Sequence, residues 1–220
     1  MKSKYTQKLG EEMHANVPPD WYFSSIKINP FQRYWHKRRF EEVGKLIEKT
    51  DGEVLDIGSA DGVFTKVVLD KSDAKKVTGI DVLRTSVHWA NNHWKKNKKL
   101  FFKVGDAHKL DFSTGKFGAV FALEVLEHVP EPQKVFKEIK RVLKSNGYAV
   151  LLVPTDSLLF RLIWFFWVKF WRGRIWDDCH IQSFDKKHTL AKELTKVGFV
   201  VEIDKRFILG MLNAVKVRKR

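Results

Sequence analysis

The residues best suited to chemistry form a glycine-containing loop that follows a short apolar run. Val54 to Ile57 precede Gly58, and an apolar helical pattern begins directly after Gly62. Glycines let a backbone adopt positive φ and approach a ligand closely, while the start of a helix offers free N–H groups to an anion. Asp81 ends the next apolar run, where a carboxylate can accept hydrogen bonds from both ribose hydroxyls. This ordered set predicts a site for a nucleoside-containing cofactor.

The spacing of the loop argues against a dinucleotide cofactor. Gly58-x-Ala60-x-Gly62 does not match Gly-x-Gly-x-x-Gly, and the acidic Asp56 stands before the first glycine. A βα turn that merely contains glycines would account for the loop, but it would not account for the acid after the next apolar run.

The elements that must position these residues alternate along the chain. Short apolar runs and amphipathic stretches follow one another, which is typical of parallel strands joined by crossover helices. Residues 1–30 are expected to form an irregular arm. Strands are predicted at 53–57, 76–80, 100–104, 119–123, 148–153, 199–204 and 211–216, and helices at 31–49, 63–70, 85–95, 132–143 and 186–197.

Four blocks, at 54–62, 77–81, 105–107 and 117–129, stand in an order that carries a family resemblance. On them the sequence resembles class I S-adenosylmethionine-dependent methyltransferases, particularly the small-molecule and lipid-acting group related to quinone-biosynthesis methyltransferases. The resemblance is good over about 40–153 and weaker beyond. One departure is Ala60, where the family usually has a middle glycine.

The resemblance implies an α/β fold with a Rossmann-like, mostly parallel sheet, an antiparallel final strand and helices on both faces. One domain is expected, divided into an N-terminal arm and helix (1–50), a cofactor-binding core (51–154), an aromatic insertion (155–184) and a C-terminal helix and strands (185–220). The implied cofactor is S-adenosylmethionine, with S-adenosylhomocysteine as product.

The resemblance also assigns roles to individual residues. Asp56 would orient the loop, Gly58 and Gly62 would face the methionine portion of the cofactor, and Asp81 would hold the ribose. Asp106 would accept from the adenine amino group beside the Ala107 amide, although it would serve equally as a turn carboxylate after Gly105. Glu124 would lie near the methionine amino group. The remaining cofactor contacts are expected from Ser59, Ala60, Asp61 and Val82.

Methyl transfer needs an aligned donor and acceptor in a dry site, and a base only where the acceptor must lose a proton. His128 with Glu127 is the candidate pair, and a helix-end feature is the alternative. His180 resembles a histidine that shapes the substrate pocket, or is a surface histidine before a helix. The other histidines, including His88 and His93, are expected to be structural. No cysteine or histidine cluster suggests a metal.

The aromatic insertion carries half of the eight tryptophans, and no acid interrupts it between 157 and 176. A helix over 158–172 would place Arg161, Lys169 and Arg172 on a narrow stripe opposite an aromatic face. At about 22 Å it would be too short to span a bilayer, but it could lie on one. The segment at 158–176 therefore predicts contact with an anionic membrane surface and a lipophilic acceptor. A lid packed on the domain, or a homodimer face, is the alternative.

The net charge of +15 predicts attraction to polyanions, either nucleic acid or anionic lipid. An RNA methyltransferase is the competing hypothesis, but Ala122-Leu123-Glu124 replaces the Asn/Asp-Pro-Pro-aromatic motif of many amine methylases. A non-catalytic membrane-binding or interaction module that retains the fold is another alternative. One cysteine, Cys179, and an N-terminus without an apolar core predict a cytoplasmic protein, with peripheral binding to the inner membrane face in the lipid hypothesis.

Overall fold

The computed structural model describes residues 12, 14, 16–155, 157–170 and 189–220. Within them, seven strands form one sheet, in the order β3-β2-β1-β4-β5-β7-β6. The strands are β1 (Glu53–Ile57), β2 (Lys76–Asp81), β3 (Leu100–Val104), β4 (Phe117–Leu123), β5 (Leu143–Pro154), β6 (Phe199–Phe207) and β7 (Leu212–Lys219).

The sheet is parallel except at its final strand. β1 lies between β2 and β4 and pairs parallel with both, and β5 continues the parallel set. β7 inserts antiparallel between β5 and β6. The predicted Rossmann-like sheet with an antiparallel final strand is therefore confirmed. Since β1 to β4 are parallel, their carboxyl ends meet at one edge, and the loops that carry the predicted cofactor residues meet there too.

Helices cover both faces of the sheet, as predicted. They are α1 (Trp21–Ile28), α2 (Pro30–Gly44), α3 (Val63–Ser72), α4 (Arg84–Trp94), α5 (Pro132–Val142), α6 (Leu158–Phe170) and α7 (Thr189–Lys196), with a 3-10 turn at Leu126–His128. One apolar core joins the sheet to α5 and α7, through Phe136 and Leu194 among others. The other joins it to α2, α3 and α4, through Val43, Val68 and Ala90.

The largest difference from the sequence prediction lies at the N-terminus. Trp21–Ile28 is a helix, α1, where an irregular arm was expected. Helix α2 also ends at Gly44 rather than at Lys49. Glycine is a poor helix former, and the chain beyond it turns so that the amide of Thr50 donates to the Ser72 carbonyl at 2.7 Å.

Candidate functional site

Two left-handed glycines shape the loop between β1 and α3. Gly58 has φ of 71° and Gly62 has φ of 78°, a region that L side chains rarely adopt. A Cβ on Gly58 would lie 2.3 Å from Cγ2 of Val125, so the close approach also excludes a side chain there. The amides of Gly58 and Ser59 both donate to the Ile80 carbonyl, at 2.8 and 3.0 Å. These bonds hold the loop against the end of β2.

Ala60 takes the conformation that the usual middle glycine would take. Its φ is 45°, which costs roughly 1 kcal/mol for a residue with a Cβ. Its amide donates to Oδ2 of Asp81 at 2.8 Å, and this bond fixes the loop. The departure from the family pattern therefore adds strain to the loop at a position that the bond to Asp81 holds in place.

Asp81 ends β2 and faces the cavity described below. Besides the Ala60 amide, it accepts the Leu83 amide at Oδ1, at 2.9 Å. Burial raises the pKa of Asp81, and the amides that it accepts oppose that rise. A carboxylate offers about four acceptor positions. The backbone amides thus leave part of the acceptor capacity of Asp81 for a ribose hydroxyl.

The other two loop carboxylates bind the protein and do not line this cavity. Asp56 is buried and accepts from Oγ1 of Thr65 at 2.6 Å, and burial raises its pKa to about 7. Asp61 accepts the amides of Phe23 at 2.8 Å and Val63 at 3.2 Å, while burial raises its pKa to about 6. Asp56 therefore ties β1 to α3, and Asp61 ties the loop to α1.

Asp106 and Ala107 lie just after β3 and line the same cavity. Oδ1 of Asp106 accepts the His108 amide and lies 2.8 Å from His108 Nδ1. Both side chains are almost fully buried. The contact holds the Asp106 carboxylate at the cavity wall, where the resemblance places the adenine. The sequence reasoning did not single out His108.

Glu124 follows β4 and forms an ion pair with Arg39 of α2. Its φ is 55°, and its amide donates to the Leu152 carbonyl at 2.8 Å, so its backbone is fixed against β5. The guanidinium of Arg39 also stands 5.1 Å from the ring centre of Tyr22. Arg39 was missed in the sequence because nothing in the helical pattern distinguishes an inward arginine from a surface one.

The predicted pair Glu127 and His128 lies in the 3-10 turn after β4 and lines the cavity. His128 Nε2 is 4.0 Å from Oε1 of the buried Glu127. The ring of His14, from the N-terminal arm, meets the His128 ring edge-on at 4.9 Å between centres. A histidine near a carboxylate in a cavity wall has the chemistry needed to accept or donate a proton. His180 lies outside the described residues.

One cavity of about 230 Å³ joins these groups to an aromatic wall. One side holds the loop and the carboxylates of Asp81, Asp106 and Glu124. The rest of the lining is mainly aromatic and apolar side chains from the N-terminal arm, α1, α2 and α6: Val17, Pro18, Pro19, Trp21, Tyr22, Phe31, Trp35, Phe160 and Ile163. The N-terminal segment and the first turns of the insertion thus enclose the cofactor loop.

Aromatic packing fixes α1 over the loop. Phe23 lies against the ring of His93, 4.4 Å between centres, and the His93 ring stacks on Trp89 at the same distance. The indole N–H of Trp94 donates to the Asp61 carbonyl at 2.8 Å. His93 therefore packs as a structural residue, whereas His88 is exposed and bonds to a neighbouring asparagine on α4.

The shape and the polar groups of the site fit S-adenosylmethionine. Gly58 and Ala60 of the loop line the cavity, so the loop backbone borders the space that a ligand would occupy. Three carboxylates, Asp81, Asp106 and Glu124, line the cavity. They can accept hydrogen bonds from the hydroxyl and amino groups of this cofactor. These acids also favour a ligand that carries a sulfonium and an ammonium group.

Two features are absent from the described part of the chain. No group of histidine, cysteine, aspartate and glutamate side chains there could hold a metal ion. None of its helices has the length and hydropathy needed to cross a membrane.

Comparison with known proteins gives a domain match and two informative relatives. The family model described as a methyltransferase domain matches residues 55–151. A demethylmenaquinone methyltransferase of Thermotoga maritima is 29% identical over 79% of this chain and 80% of its own length. A ubiquinone biosynthesis O-methyltransferase of Coxiella burnetii is 26% identical over 60% of this chain, and the alignment spans only 56% of that relative.

Among solved structures, a [4+2]-cyclase superimposes with a TM-score of 0.74 at 16% identity, covering 97% of this chain and 96% of its own. At that identity the likeness concerns the fold alone. Evidence on the reaction comes from the domain match and from the residues around the cavity.

Proposed function

We propose that this chain, a class I S-adenosylmethionine-dependent methyltransferase, methylates a small lipophilic ring compound of the hydroquinone type. One observation carries the acceptor class: the carboxylates that suit the cofactor and a wall of aromatic side chains share a single cavity. The names of the two relatives add quinone-type acceptors as the first compounds to test.

The chain's own residues suggest how the reaction would be arranged. When bound, S-adenosylmethionine supplies an electrophilic methyl group on a sulfonium sulfur. Asp81 would hold the ribose, Asp106 the adenine edge and Glu124 the amino group of the methionine portion. Trp35 of α2 and Phe160 of α6, which line the same cavity, would contact a flat acceptor and exclude water. For a hydroxyl acceptor, His128 would take the proton, and Glu127 would stabilise the resulting imidazolium.

Two measurements test the proposal. Calorimetry should detect binding of S-adenosylmethionine, and failure to bind at millimolar cofactor would refute the enzyme assignment in favour of a non-catalytic module. Labelled cofactor should then transfer methyl to reduced geranylhydroquinone. Transfer to RNA instead would refute the acceptor class.

His128→Asn should lower the turnover of the hydroquinone without changing cofactor affinity, and unchanged turnover would remove the proton-transfer role.

A membrane-surface location is the second proposal, and the exposed side chains around the cavity favour it. Leu162, Phe165 and Phe166 on α6 are each about half exposed, as is Phe31 of α2. Both helices line the cavity through neighbouring residues. Exposed cations accompany these apolar side chains: Lys27, Lys37, Arg161 and Lys169. Apolar side chains beside cations are what an interfacial surface requires.

Vesicle flotation tests this surface. The wild type should float with vesicles that contain phosphatidylglycerol, and less with phosphatidylcholine alone. A triple variant, Leu162→Ser, Phe165→Ser and Phe166→Ser, should lose flotation. Leu209→Ser is the matched control, since Leu209 is exposed in the turn before β7 and does not line the cavity. Equal flotation of the triple variant and the wild type would contradict the proposal.

A further inference from the structure

The inner face of α2 presents polar side chains to the cavity where an apolar face would be expected. Gln32 and His36 stand one helical turn apart, both are buried, and both line the cavity. The ring of Tyr22 meets the His36 ring edge-on, with 5.1 Å between centres, and Phe40 stacks on its other side at 6.0 Å. His36 is thus held in place by packing on two sides.

Hydrogen bonding does not account for His36. Its side chain is 97% removed from solvent, at 3% exposure, and neither Nδ1 nor Nε2 has a hydrogen-bond partner within the described residues. Buried polar groups in proteins are nearly always paired, because an unmade bond is costly. An imidazole with two unused nitrogens in a cavity wall therefore indicates a partner that enters with a ligand.

The charge state of His36 limits which ligand groups it can bind. Burial, and secondarily the Arg39 guanidinium one turn away, lower the pKa of His36 well below its usual range. The imidazole is therefore neutral, with one donor and one acceptor nitrogen. Such a ring suits a hydroxyl or a carbonyl oxygen. It offers no countercharge to an anion, and the neighbouring guanidinium disfavours a cationic amine.

The aromatic side chains around His36 restrict the chemistry of the ligand further. Trp35 adjoins His36 on the same helix, Trp21 lies on α1, and Phe160 comes from α6, all in the wall of the same cavity. Aromatic walls favour a flat apolar ring over a flexible polar chain. A ring that carries an oxygen substituent satisfies both the walls and the imidazole.

We propose that His36, with Gln32 beside it, binds a ring hydroxyl or carbonyl oxygen of the acceptor and so determines which ring position faces the methyl donor. The inference rests on the proposed function, because it assigns the ligand of this wall as the acceptor. It assigns His36 a recognition role that is separate from the cofactor carboxylates and from the proton transfer given to His128.

The test measures binding of two probes that differ only in the group His36 would contact. Reduced geranylhydroquinone and its dimethyl ether are titrated by calorimetry, with S-adenosylhomocysteine present and absent. His36→Phe should weaken hydroquinone binding about tenfold, equivalent to about 1.4 kcal/mol, and leave the ether unchanged. His36→Gln, which keeps a donor and an acceptor, should recover part of the loss. His88→Phe, on the exposed face of α4, is the matched control and should change neither affinity.

Stability separates recognition from structure. Because His36→Phe removes buried unpaired groups, the variant should melt at or above the wild-type temperature and bind S-adenosylhomocysteine normally. A lower melting temperature with weakened cofactor binding would assign His36 a structural role and overturn the proposal. An equal change in affinity for both probes would overturn the proposal as well. No change for either probe would also overturn it, and is the result expected if only water pairs the imidazole. Cofactor binding by a wild type that does not bind hydroquinone would refute this inference and leave methyl transfer standing. Absence of cofactor binding would refute the proposed function.

Discussion

Removing the charge of Arg39 should destabilise the protein by an amount that reveals how the N-terminal helices are held. In Arg39→Met the side chain keeps much of its volume, so the loss comes from the polar contacts of the guanidinium, the ion pair with Glu124 and the hydrogen bond with Tyr22. The two side chains are 4% and 18% exposed. Breaking a fully buried pair costs about 3–5 kcal/mol. Since Glu124 retains some water, we expect a loss of about 2–3 kcal/mol in the free energy of unfolding.

The reverse change should cost less, because Arg39 has other neighbours. Burial lowers the pKa of Arg39, and Tyr22, Glu127 and Asp61 oppose that fall, so Glu124→Gln leaves a cation that is still partly compensated. We expect about 1–2 kcal/mol for that variant. The double variant should then cost less than the sum of the single changes by about 1–2 kcal/mol, as a direct contact requires.

Urea unfolding followed by tryptophan fluorescence measures all four proteins of this cycle. The midpoints should shift while the slopes stay constant, which keeps the comparison on stability alone. A coupling below about 0.5 kcal/mol, typical of exposed pairs, would refute the view that Arg39 and Glu124 act as a buried pair. Full stability of Arg39→Met would refute the assignment of α2 as an anchored wall of the cavity.

Three further changes address the loop. Asp81→Asn should weaken S-adenosylmethionine binding by about 10- to 100-fold in calorimetry, since the amide removes acceptor capacity, whereas Asp111→Asn, at a side chain 99% exposed, should not. Burial raises the pKa of Asp56 to about 7, so the folded state holds a proton that the unfolded state has released, and stability falls as pH rises from about 4 to about 7. Asp56→Asn should remove up to about 4 kcal/mol of that fall, measured by urea unfolding at a series of pH values. An unchanged dependence of stability on pH would contradict the raised pKa. Gly58→Ala should cost at least about 3 kcal/mol, from its positive φ and a valine methyl 2.3 Å away, whereas Gly115→Ala, with φ of 67° and nothing within 4 Å, should cost about 1 kcal/mol; equal losses would exclude the close approach.

The sheet could be predicted from the sequence because its strands are buried on both faces. β1 and β3 begin and end where the apolar runs begin and end. β5 starts earlier, at Leu143, because Lys144 to Asn146 are exposed and read as a loop although they belong to the strand. The acids at the strand ends could be placed since the order of strand, loop and helix leaves few positions for them.

The wall above the loop could not be predicted, and α2 shows why. Its inward positions are Gln32, His36 and Arg39, polar residues at helical spacing, while Phe31 and Tyr34 are about half exposed or more. A hydrophobic pattern identifies the face that packs on the core, whereas this face packs around a ligand cavity. The signal that could have found it is the same spacing applied to polar side chains.

The distribution of charge finally bears on the competing substrates. The chain carries a net charge of +15, yet the cavity is lined by Asp81, Asp106, Glu124 and Glu127, of which Glu124 is paired with Arg39. An acidic interior favours a cationic donor and disfavours the phosphates of RNA at the same place. The excess of lysine and arginine over acids therefore belongs largely to the outside of the molecule. A neutral ring in the cavity, with an anionic lipid surface outside it, would fit both the acidic lining and the basic exterior. A nucleic acid acceptor would fit only the basic exterior.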